Sequence, residues 1–236
     1  MRGREFFLLP LTPYFSLFTF LIMACPIFKP NPKGIKKAAQ IILRGGLIAA
    51  PTETFYGLAA DSSNEFALKR IFQVKKRDEG KPILLLIADR SWLKGLVQDI
   101  SPLAERLMSK FWPGPLTLVF EASPQVSPLL TAGTGKIGIR LSPHPVTQAL
   151  VQAVGRAITG TSANLSGQPV ILAAREVFRS LGKSLDAVID GGKTPGGPGS
   201  TILDVSEPSP QLIREGMISR EEWESVIRTP SLTLSP

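Results

Sequence analysis

From Lys29 onward, short apolar runs alternate with helix-periodic segments, and several runs follow one another with no helix between them. That order narrows the fold more than any other feature of the chain. A doubly wound parallel sheet needs a crossover after each strand, whereas strands in direct succession need antiparallel neighbours. Helical spacing covers residues 33–44, 65–74, 102–111, 146–154, 173–181 and 220–227. Asn64 can cap the second of these, Gly45-Gly46 close the first, and Trp112-Pro113-Gly114-Pro115 break the third. Strand-like runs cover 47–50, 83–87, 116–120, 136–140, 157–159, 187–189, 201–205 and 211–214. The expected class is α/β, with helices packed on a mixed sheet.

The chain has 236 residues, 43% of them hydrophobic and 19% charged, which excludes a disordered composition. The formal charge is +8. Residues 29–81 hold 11 basic and 5 acidic side chains, a net +6 of that total. Such an excess favours anionic partners. One cysteine and one histidine exclude a disulfide framework, zinc-finger spacing and a His-rich metal site. Residues 1–28 stand apart as an apolar N-terminal extension, and 29–236 read as one compact α/β domain. Two arginines, an apolar run and Cys25 give the extension the outline of a secretory or lipoprotein signal. Pro10 and Pro13 interrupt it as a membrane span. A translation start at Met23 and a structural N-terminal element are the other readings.

Two nucleotide-binding patterns match by letter and fail by context. Residues 133–138 (GTGKIG) fit G-x-G-x-x-G, but the fingerprint must open a helix and Ile139-Arg140-Leu141 continue a strand. Ile137 replaces the Ser or Thr of a P-loop. Asn164 stands where a nucleophile elbow needs its second glycine. His144, between two prolines, reads as a structural or loop histidine.

What remains is a set of polar loops that follow apolar strands, the place where α/β sheets hold ligands. Residues 51–58 (PTETFYGL) offer hydroxyls and a tyrosine wall. Lys75, Lys76 and Arg77 precede Lys81-Pro82; in an extended segment Lys75 and Arg77 would point one way and could clamp phosphates. A solvated helix end is the plainer reading of the same charges. Residues 161–167 (TSANLSG) supply donors and acceptors, 191–200 (GGKTPGGPGS) allow close backbone approach, and Arg214 precedes Glu215-Gly216.

In their order these segments, with Pro113-Gly114-Pro115-x-Thr117, Arg140 with His144-Pro145, and Ser200-Thr201-Ile202-x-Asp204, resemble the YrdC-like family of L-threonylcarbamoyladenylate synthases. The resemblance covers about residues 33–218. It implies a twisted, mixed α/β sheet enclosing a basic cavity. It also implies a nucleotidyltransferase that makes threonylcarbamoyl-AMP and pyrophosphate from L-threonine, bicarbonate and ATP. That product serves N6-threonylcarbamoyl modification of the adenosine beside the tRNA anticodon, through a separate transfer machinery. By motif, Lys75 and Arg77 would be catalytic and hold ATP phosphates, with Ser162, Asn164 and Arg214 also on the nucleotide. Thr52, Tyr56, Thr117, Arg140 and Ser200 would position threonine. Mg²⁺ would arrive on ATP, with no protein cage. A cytoplasmic location without stable membrane insertion is implied. Leu84-Leu85-Leu86 stand where some members carry a histidine, and Asp78 where many carry a proline. An RNA-binding or ribosome-assembly protein is the alternative, supported by the charge and opposed by the lack of an aromatic stacking platform.

The chemistry suits a chain poor in acid–base residues. A threonine amine has a pKa of about 7.7–8.0, so part of it is neutral near pH 7. Phosphoryl chemistry then needs positioning and charge neutralisation more than covalent help. Every matched segment lies beyond residue 50. Residues 23–236 alone are therefore expected to be soluble and fully active, which expression of that truncation and an activity assay would check.

Overall fold

The computed structural model describes residues 25–228; the extension up to residue 24 lies outside them. Helices begin where short polar side chains can serve free N–H groups. They are α1 (Pro32–Leu43), α2 (Glu65–Lys75), α3 (Pro102–Phe111), α4 (Pro128–Thr131), α5 (Pro145–Val154), α6 (Ala174–Leu181) and α7 (Arg220–Arg228). Asn31 Oδ1 accepts from Gly34 N at 2.9 Å, and Asn64 Oδ1 accepts from Ala67 N at 3.0 Å. Pro32, Pro102 and Pro145 sit in first turns, where a missing N–H costs nothing. His144 caps α5, its Nδ1 accepting from Val146 N at 3.3 Å. That requires a ring bare of a proton at Nδ1, and burial holds the imidazole below its usual pKa. The histidine is structural.

The strands are β1 (Ile27–Phe28), β2 (Ile48–Pro51), β3 (Tyr56–Ala59), β4 (Leu85–Leu86), β5 (Leu116–Glu121), β6 (Lys136–Arg140), β7 (Ile158–Thr159), β8 (Thr161–Ser162), β9 (Ala187–Ile189), β10 (Thr201–Asp204) and β11 (Gln211–Arg214). They form two mixed sheets where the sequence suggested one. The five-stranded sheet runs β1-β9-β2-β3-β8, the six-stranded one β11-β10-β5-β6-β4-β7. In the first, β1, β9 and β2 are parallel, and β3 runs antiparallel to both neighbours. In the second, the pairs β10/β5 and β6/β4 are parallel and the others antiparallel. The chain passes from one sheet to the other through Gly160, between β7 and β8.

α1 and α5 cover the five-stranded sheet over a small core that includes Ile42, Ile48, Leu150 and Ile189. A larger core joins α2, α3, α6 and α7 to the inner sheet residues. Residues 133–138 form the turn into β6, with Gly133 and Gly135 at positive φ, so no helix follows the GTGKIG segment. The expected strand over 83–87 shrinks to Leu85–Leu86: Ile83 N turns away to Leu130 O, and the ladder with β6 closes at Ile87 N to Arg140 O. β3 and β8 were read as loops. Each is short, and each is made a strand by pairing with distant residues rather than by its own pattern.

β1 falls inside the stretch read as an extension, so the packed unit includes Cys25 to Phe28. Cys25 is buried in the core, Val188 N donates to Pro26 O at 2.9 Å and Asp190 N to Phe28 O at 2.8 Å. No helix among the described residues is long and apolar enough to cross a membrane. A chain starting at Lys29 is expected to be less stable than one starting at Met23 by about 1–3 kcal/mol, since it loses these bonds. Denaturant titration of the two would show it, and equal midpoints would mean that β1 contributes nothing.

Candidate active site

Alternation along three strands builds one wall of a cavity. In a strand every second side chain faces the same way. Thr117 and Val119 on β5, Lys136, Gly138 and Arg140 on β6, Ser200 just before β10, and Ile202 and Asp204 on it all line one space of about 640 Å³. The opposite wall comes from the other sheet and its loops: Thr52, Phe55, Gly57, Gly160, Thr161 and Ser162, with Arg77, Lys81 and Pro82 closing one side. A Cβ at Gly138 would lie 3.3 Å from Thr117 Cγ2, so glycine there keeps the floor open. Five cationic side chains and one carboxylate, Asp204, line the space. Lys136 Nζ donates to Asp204 Oδ2 at 3.0 Å, and Ser206 occupies Oδ1.

Seven of the ten expected site residues meet here: Thr52, Arg77, Thr117, Arg140, Ser162, Ser200 and Arg214. Thr117 Oγ1 and Ser200 Oγ share a hydrogen bond of 2.9 Å. Arg214 donates from Nε and Nη2 to Ser200 O at 3.2 and 2.7 Å. Burial, and then the nearby charge of Arg140, lower the Arg214 pKa. Arg140 is itself buried, with Nε 3.3 Å from Glu53 Oε1; burial lowers its pKa and Glu53 opposes. Arg77 donates from Nη2 to Pro82 O at 2.9 Å, which turns the guanidinium along the cavity side.

Three expected residues stand behind the wall. Tyr56 is fully buried; its hydroxyl donates to Gly192 O at 2.8 Å and accepts from Gly191 N at 3.2 Å, so it anchors the loop over 191–200. Asn164 spends its amide within the protein: Oδ1 accepts from Ser162 Oγ and Lys75 Nζ, and Nδ2 donates to Gln168 O. Lys75 does not alternate with Arg77 in an extended segment. It ends α2, and Lys76 takes the left-handed conformation at φ 48°. The Lys75 ammonium donates to Ser162 O, to Asn164 O at 2.8 Å and to Asn164 Oδ1 at 3.3 Å, while Lys75 O accepts from Ser166 N. It stitches the 162–168 loop to the end of a helix. Burial first, and the charge of Arg77 second, pull its pKa down to about 8. Three oxygen acceptors favour the charged form against that burial.

Lys81, Lys136, Thr134, Thr161 and Asp204 also line the cavity without having been assigned a role. The signal for Lys136 and Asp204 was present, since each lies on the cavity-facing alternation of its strand. Lys136 was set aside with the failed P-loop. Among the described residues no group of three His, Cys, Asp or Glu side chains could hold a metal.

With that geometry in hand, comparison with known proteins decides the family. A family model of the Sua5, YciO and YrdC proteins, described as "Telomere recombination", matches residues 40–216. The chain belongs to this family. It is 40% identical over 193 residues to a threonylcarbamoyl-AMP synthase of Pyrococcus abyssi, covering 82% of this chain and 57% of that one. It is 34% identical over 181 residues to a threonylcarbamoyl-AMP synthase of Idiomarina loihiensis, covering 76% of this chain and 96% of that one. The chain thus spans 57% of the length of the Pyrococcus relative and nearly all of the shorter one. A crystal structure of P. abyssi Sua5 complexed with L-threonine superposes with a TM-score of 0.83 at 37% identity, covering 86% of this chain and 61% of that one.

The buried Lys75 of this family member gives a pH-dependent expectation. Its proton leaves near pH 8 in the folded chain and near 10.5 in the unfolded one. Between those values the unfolded state binds more protons, so the Lys75 contribution to stability rises with pH, by at most about 1.4 kcal/mol per unit. Lys75→Met should abolish that rise, and Lys76→Ala, at an exposed site, should leave it intact. Denaturant titrations at about pH 8 and pH 10 would check both as differences from the unsubstituted protein.

Proposed function

We propose that the protein is a threonylcarbamoyl-AMP synthase, forming threonylcarbamoyl-AMP and pyrophosphate from L-threonine, bicarbonate and ATP. The observation that carries the reading is the cavity: five cationic side chains against one carboxylate already engaged by Lys136. Such a space suits a polyanion and a carboxylate together. The relatives' shared name and the threonine complex of P. abyssi Sua5 support the choice of substrates.

The lining divides the ligands. Arg77 and Lys81, next to Ser162, suit the phosphates of ATP. Arg140, with Thr52, Thr117 and Ser200, suits an amino acid carboxylate and hydroxyl. Arg214 lies against Ser200 and next to Arg140, so it faces the junction of the two ligands rather than the phosphates alone. Lys75 and Asn164 act on the nucleotide side through the loop they fix. The neutral threonine amine attacks bicarbonate, releasing water, or dissolved carbon dioxide, releasing a proton to solvent, and either route gives a carbamate. A carbamate oxygen then attacks the α-phosphorus of ATP, and pyrophosphate leaves. The residues hold the reacting groups in line and neutralise charge. Magnesium would enter with the phosphates of ATP, since both Asp204 oxygens already accept from Lys136 and Ser206. The product is passed to the machinery that modifies tRNA beside the anticodon. The work belongs in the cytoplasm, where those substrates are.

Purified protein given ATP, Mg²⁺, threonine and bicarbonate is expected to yield threonylcarbamoyl-AMP by mass detection. Threonine-independent ATP turnover, or RNA binding without turnover, would favour an RNA-binding role instead. Arg77→Ala should lower turnover at least about tenfold, equivalent to about 1.4 kcal/mol. Arg140→Ala should weaken threonine binding at least about tenfold and leave ATP binding nearly unchanged, as read by calorimetry with each ligand alone. Equal losses for both ligands in both variants would show that the cavity is not divided in this way.

A further inference from the structure

The turn between β2 and β3 holds a carboxylate for which the reaction has no chemical use. Glu53 Oε1 lies 3.3 Å from Arg140 Nε, and the two side chains are 12% and 4% exposed. The other carboxylate oxygen accepts from Ser142 Oγ, and that hydroxyl accepts in turn from His144 N at 3.3 Å. The ion pair is not aligned as a hydrogen bond: Arg140 Nε and Glu53 Oε1 are both buried without a hydrogen-bond partner. Glu53 therefore acts as a fixed charge beside one edge of the guanidinium, not as half of a fork. Among the described residues, no hydrogen bond or ion pair engages the terminal nitrogens of Arg140, which lines the cavity. Arg214 differs, with Nε and Nη2 committed to Ser200.

We propose that Glu53 is a positioning residue: tethered through Ser142, it holds Arg140 by the Nε edge and so presents the two terminal N–H groups to the carboxylate of the amino acid substrate. The inference rests on reading this end of the cavity as the threonine site. Arginine binds a carboxylate best through two parallel bonds, and that geometry is lost if the plane turns. Arg140 sits at the end of β6, and its guanidinium has no protein acceptor to set its plane. Glu53 supplies the missing constraint from a separate hairpin. It does so at an electrostatic cost, because its charge also repels an incoming carboxylate. Arg214 offsets that cost: two guanidiniums face one carboxylate, and this part of the cavity stays net positive. The two effects of Glu53 have opposite signs, so its removal reports which one dominates.

The test is calorimetric titration of the full chain with L-threonine alone and with ATP alone, for the unsubstituted protein, Glu53→Gln, Ser142→Ala, Arg140→Ala and the double variant Glu53→Gln/Arg140→Ala. Thermal unfolding would show which variants fold. Positioning predicts threonine binding at least about tenfold weaker in Glu53→Gln, with ATP affinity held within about twofold. Ser142→Ala should shift threonine affinity in the same direction by less, and it carries the test if Glu53→Gln does not fold. The double variant should bind threonine no more weakly than Arg140→Ala, because Glu53 aids binding only through Arg140 and its direct effect is repulsive. Unchanged or tighter threonine binding in folded Glu53→Gln would overturn the inference, as would additive losses or a parallel loss of ATP binding. If the unsubstituted protein bound no threonine, the functional reading would fall first and this inference with it; intact binding that ignores Glu53 removes the inference alone.

Discussion

The crossing at Gly160 is the constraint on which the cavity depends. A Cβ there would stand 2.7 Å from both Leu84 Cδ1 and Leu86 Cγ. Real packing does not tolerate that approach, so either the strand carrying those leucines or the crossing segment would move. Gly160 N also donates to Leu84 O at 2.9 Å. The six-stranded sheet ends at Thr159 and the five-stranded sheet takes up the chain at Thr161. Because the crossing is this tight, the cavity-facing alternation of β5, β6 and β10 meets Thr161 and Ser162 from the other sheet. A looser crossing would leave two sheets with separate clefts.

Lys75 extends that constraint to the loop beyond β8. Burying an ammonium costs several kcal/mol unless its donors are satisfied. Here every acceptor comes from Ser162 or Asn164. Those acceptors offset part of the penalty only when the 162–168 loop adopts this one shape, so a buried charge specifies loop geometry. Tyr56 does the same for the 191–200 loop with a neutral hydroxyl. Three residues that the motif pattern assigns to substrates thus stand one layer back, bonded to the loops that line the cavity.

The sequence made the long elements legible because their signals are local. α3 carries its Ser101 cap, its apolar face and its Trp112-Pro113 break within one stretch, and β6 alternates cleanly. β3 and β8 were not legible. Gly57 interrupts the first and hydroxyls crowd the second, and only pairing between Gly57 and Ser162, 105 positions apart by number, makes them strands. The site was legible as a set of motifs and not as geometry. The Lys75–Arg77 spacing suggested a strand face, yet α2 continues through Lys75 and the left-handed Lys76 redirects the chain. Glu53 lay inside a recognised segment, but its partner Arg140 lies on a different sheet. No local pattern reports such a contact.

How the cations are held decides how much positive charge the cavity presents. A guanidinium paired with a carboxylate loses most of its outward field, whereas one bonded to a carbonyl keeps its whole charge. Arg77 is held by Pro82 O, Arg214 by Ser200 O, and Lys75 by carbonyls of Ser162 and Asn164. Lys136, with Asp204 against it, and Arg140, with Glu53 beside its Nε edge, are the exceptions. Carbonyl anchoring desolvates the cation without a counter-charge to offset the cost, and it leaves the positive charge available. A bound triphosphate or carboxylate would then supply the counter-charge that the protein withholds from itself. The stability that this arrangement forgoes is available as affinity for such a ligand.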